Sequence, residues 1–259
     1  MLRKSLTDWL VVVPARLAST RLPDKPILDL AGKPLIVRVY ENLGPLIANG
    51  AVVVVAVDDE RVATVCRDHA IPHMMTSRDH ATGTDRCAEV AARQSEARPY
   101  ILNIQGDEPF LAPNDLMRLC GAFAAQKSQT STMSTRAPMA SMYLRSHDAQ
   151  RFIAPSCVKV VCSPSGHALY FSRSPIPHDR DHGGKLAGDF LVHMGVYAFD
   201  REALKLFCAL PPSPLEATEK LEQLRALEAG WKILMQEASA ESLGIDTPAD
   251  LEAARVRFR

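Results

Sequence analysis

The sequence predicts an α/β protein with a mixed, mostly parallel sheet. Three observations carry that reading. Residues 10–13, 51–57 and 100–104 are short apolar runs rich in branched side chains, as in strands buried on both faces. Segments of helical spacing at 35–47, 61–69 and 85–94 alternate with them, which is the βαβ pattern. The chain has 259 residues, 47% of them hydrophobic, enough to cover such a sheet.

Taken in order, the first strand ends at Pro14, and residues 15–26 then lack any helical or strand period. Pro14 and Pro23 restrict the backbone on both sides of that loop. It sets Arg16, Arg21 and Lys25 just past the C-terminal end of a buried strand, where open α/β sheets bind ligands. A solvated basic loop would have the same composition. Residues 31–34 read as a turn, and 35–47 as one helix with Ile36, Val39, Tyr40 and Leu43 on one face. The strand 51–57 ends at Asp58 and Asp59. Pro72 opens the next crossing, and Gly83 and Thr84 lead into the helix 85–94. The strand 100–104 runs directly into Gln105-Gly106-Asp107-Glu108-Pro109, and 114–125 reads as a helix.

The character changes near Gln126. Residues 127–136 are rich in Ser and Thr and read as a loop leading into an edge strand. Residues 141–154 are weakly patterned, with a helical portion. A hairpin is expected from 158–162 and 167–172 about a Ser-Pro-Ser-Gly turn. A polar loop at 175–188 precedes a strand at 190–199. Residues 213–229 read as one long helix, with Pro214 in its first turn and Gly230 after its end. A last strand at 233–236 precedes a helix at 247–258, which Thr247 caps with Asp250 three residues on.

Thirty Lys and Arg balance thirty Asp and Glu. Net charge thus gives no support for a nucleic-acid or membrane-surface partner, and any phosphate site must be a local cluster. No segment reaches membrane-spanning length, so a cytoplasmic protein without membrane insertion is expected. Cys66, Cys87, Cys120, Cys157, Cys162 and Cys208 show neither CxxC nor zinc-ligand spacing. They read as reduced, buried small hydrophobes.

Three loops that follow strands carry the candidate chemistry: 15–26, 105–109 and 244–248. The first is cationic, while Asp107 and Asp246 are anionic. Cations with two separated carboxylates suit nucleotide chemistry with a divalent metal. Mg²⁺ takes one or two carboxylates plus phosphate oxygens, and Arg and Lys neutralise the remaining charge. Residues 105–109 also read as a simple turn, and Asp246 as a helix-capping residue. No P-loop, GxGxxG or GxSxG pattern is present. His178 and His182 lie in a polar loop and read as solvated. His193 sits inside a strand and shares a face with Gly195 and Tyr197. It reads as a satisfied core residue, or as one with room for a ligand beside it.

Several motifs then occur in order: Pro14-Ala15-Arg16-x-x-Ser19-x-Arg21-Leu22-Pro23-x-Lys25-Pro26, Gly83-Thr84-Asp85-Arg86, Gln105-Gly106-Asp107-Glu108-Pro109, Ala168-Leu169-Tyr170-Phe171-Ser172-Arg173, His193-Met194-Gly195-Val196-Tyr197, Leu221-Glu222-Gln223-Leu224-Arg225 and Asp246-Thr247-Pro248. Together they resemble the 3-deoxy-manno-octulosonate cytidylyltransferases, the CMP-Kdo synthetases, from residue 11 to about 255. The resemblance implies a nucleotide-diphospho-sugar transferase-like three-layer α/β/α sandwich with a smaller dimerisation lobe. It implies one domain over 1–259, with 10–126 mainly binding CTP and 127–259 mainly supplying sugar-binding and dimerisation elements of a homodimer. The implied reaction joins CTP and Kdo, with Mg²⁺, to give CMP-Kdo and diphosphate for lipopolysaccharide synthesis.

By position, the resemblance assigns Arg16 and Lys25 to the triphosphate. Ala15, Thr82, Gly83, Arg86 and Gln105 go to the cytidine, and Asp107 and Asp246 to Mg²⁺. Arg173 falls to the sugar carboxylate as a planar fork, and His193, Tyr197, Glu222 and Gln223 to the sugar hydroxyls. The pattern departs at two places. Asp24 stands where the family usually has Gly; its charge would be unfavourable beside the triphosphate, and the other arrangement has Asp24 pointing away while Lys25 still reaches the phosphate. Thr82 replaces a Ser, keeping the hydroxyl. A related acidic sugar such as 8-amino-Kdo or sialic acid, or a non-catalytic nucleotide-binding relative, is the alternative reading.

Overall fold

The computed structural model describes residues 5–18, 21–129, 136–184 and 188–258. Ser19, residues 130–135 of the loop expected over 127–136 and part of the 175–188 loop lie outside the described residues, while 127–129 continue the preceding helix instead of starting that loop. The chain divides into two compact units. One comprises residues 1–117 with 241–259, and the other residues 118–240.

The first unit contains β1 (Trp9–Ala15), α1 (Leu35–Asn42), α2 (Gly44–Ala48), β2 (Val52–Val57), α3 (Glu60–Asp68), β3 (His73–Met75), α4 (Gly83–Arg93) and β4 (Tyr100–Asn103). β1 pairs in parallel with β2 on one side and β4 on the other, and β2 pairs in parallel with β3. The apolar runs therefore form the expected parallel sheet, with Val11, Val12 and Val13 fully buried. One helix was expected over 35–47, but two are present, with Leu43 as the junction. Pro45 supplies no N–H and its ring would clash with the carbonyl four residues back, so it starts α2 rather than continuing α1. α4 begins with a capping box between Thr82 and Asp85. The division between the units falls inside α5 (Pro113–Gln129).

The second unit contains β5 (Met139–Ser146), α6 (Ala149–Ile153), β6 (Lys159–Cys162), β7 (Ala168–Ser172), β8 (Phe190–Asp200), α7 (Arg201–Ala209), α8 (Pro214–Glu219), α9 (Gln223–Glu228) and β9 (Ile233–Glu237). β6 and β7 form the expected hairpin. β5 is antiparallel to β8 and parallel to β9. It is thus flanked on both sides, not an edge strand, and it occupies half of the weakly patterned stretch. Its sequence, MASMYLRS, holds no β-branched residue, so its pairing is decided by its neighbours. α7 had no counterpart in the sequence reading, although Ala203, Leu204 and Phe207 form its buried face.

The expected long helix 213–229 is broken into α8 and α9 by Lys220, which has φ 54°. Arg173 stabilises the break, because its Nε donates to the Glu219 carbonyl at 2.7 Å. A helix end leaves such carbonyls without intrahelical partners. The C-terminal α10 (Pro248–Arg257) carries the Thr247–Asp250 capping box and belongs to the first unit. Among the described residues, no helix is long and apolar enough to cross a membrane.

Candidate active site

The first unit builds its site from the ends of two adjacent parallel strands. The chain leaves β1 toward β2 on one side, and β4 returns on the other. The loops after β1 and β4 therefore open at the topological switch point of the sheet. Gly106 fixes how closely they approach. A Cβ there would stand 2.5 Å from the Pro14 carbonyl oxygen, so only glycine passes. The Gln105–Pro109 segment is thus more than a polar turn. The C-terminal segment is tied to the same place, with the Ile245 N–H donating to the Asp107 carbonyl at 2.9 Å.

These contacts enclose a cavity of about 400 Å³ lined by Ala15, Arg16, Arg21, Lys25, Gly83, Arg86, Gln105, Asp107 and Asp246, among others. At its centre the Lys25 Nζ donates to Asp107 Oδ2 at 2.6 Å and to Asp246 Oδ1 at 2.9 Å. Arg21 pairs with the other oxygen of Asp246 at 3.1 Å. Burial pulls the pKa of Lys25 down, but Asp107 and Asp246 outweigh it and the net shift is upward, so the ammonium stays charged. Two carboxylates converging on one cation form a hard oxygen donor set that fits Mg²⁺. Among the described residues no group of three or more His, Cys, Asp or Glu could hold a metal, so further ligands would have to be phosphate oxygens or water.

Arg86 lines this cavity but is only 2% exposed. It pairs with Asp58 at 2.7 Å and donates to Thr76 Oγ1 and the Ser77 carbonyl. Its buried Nε has no hydrogen-bond partner among the described residues, which leaves one donor for a ligand. Removing Arg86 would leave the buried Asp58 without its countercharge, with the Leu17 N–H still bonded to it, at a cost of up to about 3–5 kcal/mol. Thr82 stands apart from the lining residues. Its hydroxyl donates to Asp85 Oδ2 at 2.9 Å and accepts from the Asp85 N–H, so the helix cap uses it.

Asp24 takes the second of the two arrangements open to it. It adopts φ 57° and ψ 21°, the left-handed conformation implied by the usual glycine. Its carboxylate, however, faces Arg61 at 3.2 Å and lines a separate cavity with Asp58, Asp59 and Arg78. Its charge therefore does not oppose an anion beside Lys25.

The second unit gathers the remaining candidates around β7, β8 and the α8–α9 junction. His193 stacks edge-on against Phe171 and lies 5.6 Å from the Tyr197 ring. Burial pushes its imidazole down to about 3, so it is neutral at ordinary pH. Tyr197 donates to Gln223 Oε1 at 3.0 Å, and the buried Gln223 Nε2 has no hydrogen-bond partner among the described residues. Burial first, and then the charge of Glu222, raises the Tyr197 pKa well above its ordinary value. Arg173 is not a free fork. Its Nε and Nη1 donate to the Glu219 and Pro155 carbonyls, at 2.7 and 3.0 Å. Five guanidinium N–H donors allow these bonds and still leave some for a carboxylate.

The cytidylyltransferase family model matches residues 10–233. The chain is 45% identical over 247 residues to the 3-deoxy-manno-octulosonate cytidylyltransferase of Wolinella succinogenes, covering 95% of this chain and 97% of that protein. It is 42% identical to the enzyme of the same name from Geobacter sulfurreducens, covering 93% and 95%. The chain belongs to the 3-deoxy-manno-octulosonate cytidylyltransferase family. The solved structure of CMP:2-keto-3-deoxy-manno-octonic acid synthetase complexed with CTP matches with a TM-score of 0.86 at 39% identity, covering 96% of this chain and 98% of that one. A glucose-1-phosphate thymidylyltransferase from Bacillus anthracis, 14% identical with a TM-score of 0.65, shares the fold. The chain thus has the nucleotide-diphospho-sugar transferase-like α/β fold.

In this member of the 3-deoxy-manno-octulosonate cytidylyltransferase family, three polar residues around the candidates escaped sequence reasoning. Glu108 is held by the Ser242 hydroxyl, and burial pushes its pKa up to about 7 against that bond. It lies inside the quoted motif, so its position was visible but its burial was not. Lys159, fully buried, gives its three protons to the Ala154, Cys157 and Arg173 carbonyls, tying the hairpin to Arg173. Ser141, also fully buried, bonds His193. A lone Lys in an apolar strand is a legible signal of the first kind. Nothing in the sequence marks Ser141.

Proposed function

We propose that the chain is a cytidylyltransferase that activates Kdo with CTP, giving CMP-Kdo and diphosphate. The observation that carries this reading is the convergence of Lys25, Asp107 and Asp246 at the switch point of the first unit. The two relatives quoted carry that activity in their names, and the structure most like this one in fold among those quoted was solved with CTP.

In this account the anomeric C2 hydroxyl of the sugar attacks the α-phosphorus as the α–β phosphoanhydride bond breaks. The hydroxyl loses its proton, and diphosphate leaves with the bonding electron pair. Arg16 and Lys25 bind and orient the triphosphate, and their charges offset the charge that builds on the leaving group. Ala15, Gly83 and Gln105 line the cytidine pocket, and Arg86 Nε donates to the base. Asp107 and Asp246 would hold Mg²⁺. Bound there, the ion would supply charge neutralisation at the phosphates. In the second unit, the N–H groups of Arg173 not given to carbonyls bind the sugar carboxylate. His193, Tyr197, Glu222 and Gln223 bind hydroxyls.

The same reading makes the protein a cytoplasmic homodimer that serves lipopolysaccharide synthesis. None of the six cysteines forms a disulfide, which suits a reducing compartment, although only Cys66, Cys87 and Cys120 are buried as expected and Cys157, Cys162 and Cys208 are partly exposed. The expected result for Asp107→Ala is a fall in turnover of at least about a thousandfold at saturating Mg²⁺ and CTP, with folding intact by circular dichroism. Near-normal diphosphate release would remove Asp107 from the metal site.

A further inference from the structure

β5 and β8 change register between Ser141 and Met142, so β8 carries extra residues opposite that step. The Ser141 side chain meets three groups there. Its Oγ lies 2.8 Å from the Val196 carbonyl, 3.2 Å from the Met194 carbonyl and 2.9 Å from His193 Nε2. A hydroxyl has one proton, and carbonyl oxygens only accept. If that proton went to His193, two carbonyl oxygens would face a bare Oγ at hydrogen-bond distance in a fully buried position. If it goes to a carbonyl, the Oγ is free to accept an N–H from His193. The second arrangement puts a proton in two of the three contacts instead of one, and leaves one carbonyl rather than two facing the Oγ without a proton of its own.

We propose that Ser141 is a positioning residue that holds His193 as its Nε2–H tautomer, so that Nδ1 presents a bare acceptor to a hydroxyl of the sugar. The inference rests on the reading that this face of the second unit binds the sugar. Burial keeps the imidazole neutral, so it carries a single ring proton. Nδ1 makes no hydrogen bond to the protein among the described residues. A bare ring nitrogen accepts from O–H and repels a carboxylate. His193 is therefore assigned to a hydroxyl, and the acid group must lie elsewhere, as Arg173 allows. Phe171 and Tyr197 both pack against the ring.

Long-range proton–nitrogen NMR on the full chain labelled at histidine reads the tautomer directly, with His193→Gln supplying the assignment. The expected spectrum has a protonated Nε2 and a bare Nδ1 in His193, unchanged between about pH 5 and pH 8. A protonated Nδ1 in the unaltered protein overturns the proposal and leaves the sugar-site reading intact. In kinetics, Ser141→Ala is expected to mix the tautomers and raise the sugar KM about tenfold, with the CTP KM unchanged, and Ser141→Thr is expected to restore both. If His193→Gln raises the sugar KM but Ser141→Ala leaves it unchanged, the positioning role is overturned. If His193→Gln itself leaves the sugar KM unchanged, the reading of this face as a sugar site fails, whatever the tautomer.

Discussion

At residue 24 an aspartate holds the left-handed backbone that its position demands and turns its carboxylate to Arg61. Two small effects oppose each other there. Asp pays about 1 kcal/mol for positive φ relative to glycine, and an exposed ion pair returns about 0–1 kcal/mol. Asp24→Gly is therefore expected to change stability by less than about 1 kcal/mol in denaturant unfolding, and the CTP KM by less than about threefold. A large gain in CTP affinity would place the Asp24 charge at the triphosphate after all. The sequence showed the departure from glycine and its conformational cost. It did not show Arg61, which lies 37 residues away and reaches Asp24 only through the fold.

At the scale of elements, the buried parallel strands were legible because each carries its own apolar signal. The helix breaks were not, because tertiary contacts make them. Lys220 interrupts a good helical pattern only where Arg173 is present to take the freed carbonyl. β5 lacks any strand composition and is held by the ladders on both sides. The start of α4 offers a test by acid. Glu89 on that helix accepts from the Ser77 N–H, His80 and Arg93, which tie the preceding loop to it. Burial raises its pKa, but these bonds outweigh burial and bring it down to about 2. A depressed carboxylate stabilises the fold above its unfolded pKa of about 4.3, and that contribution is lost as pH falls toward the folded value. Glu89→Gln should therefore cost about 1–2 kcal/mol near pH 6, with the difference from the parent shrinking below about pH 4 and vanishing near pH 2. Equal destabilisation at all these pH values would show that the loop is not held by the charge.

At the scale of the whole chain, the site was legible as chemistry but not as geometry. Lys25 and Asp246 are 221 residues apart and meet at 2.9 Å. Spacing could show that cations and carboxylates follow strands, but not that one ammonium would sit between both carboxylates. On the proposed metal-site reading, Lys25 and a divalent ion would compete for the same carboxylate oxygens. Lys25→Met is accordingly expected to bind Mn²⁺ without nucleotide at least about tenfold more tightly than the parent by electron paramagnetic resonance, since the two carboxylates lose their cation. Equal or weaker binding would contradict that competition. The central claim is the reaction itself. It is tested most directly by diphosphate release from CTP and Mg²⁺ with Kdo, 8-amino-Kdo or N-acetylneuraminate as the only acceptor. The account predicts release with Kdo at least about tenfold faster in kcat/KM than with either of the others. No release with Kdo, or preference for another acid, would contradict it.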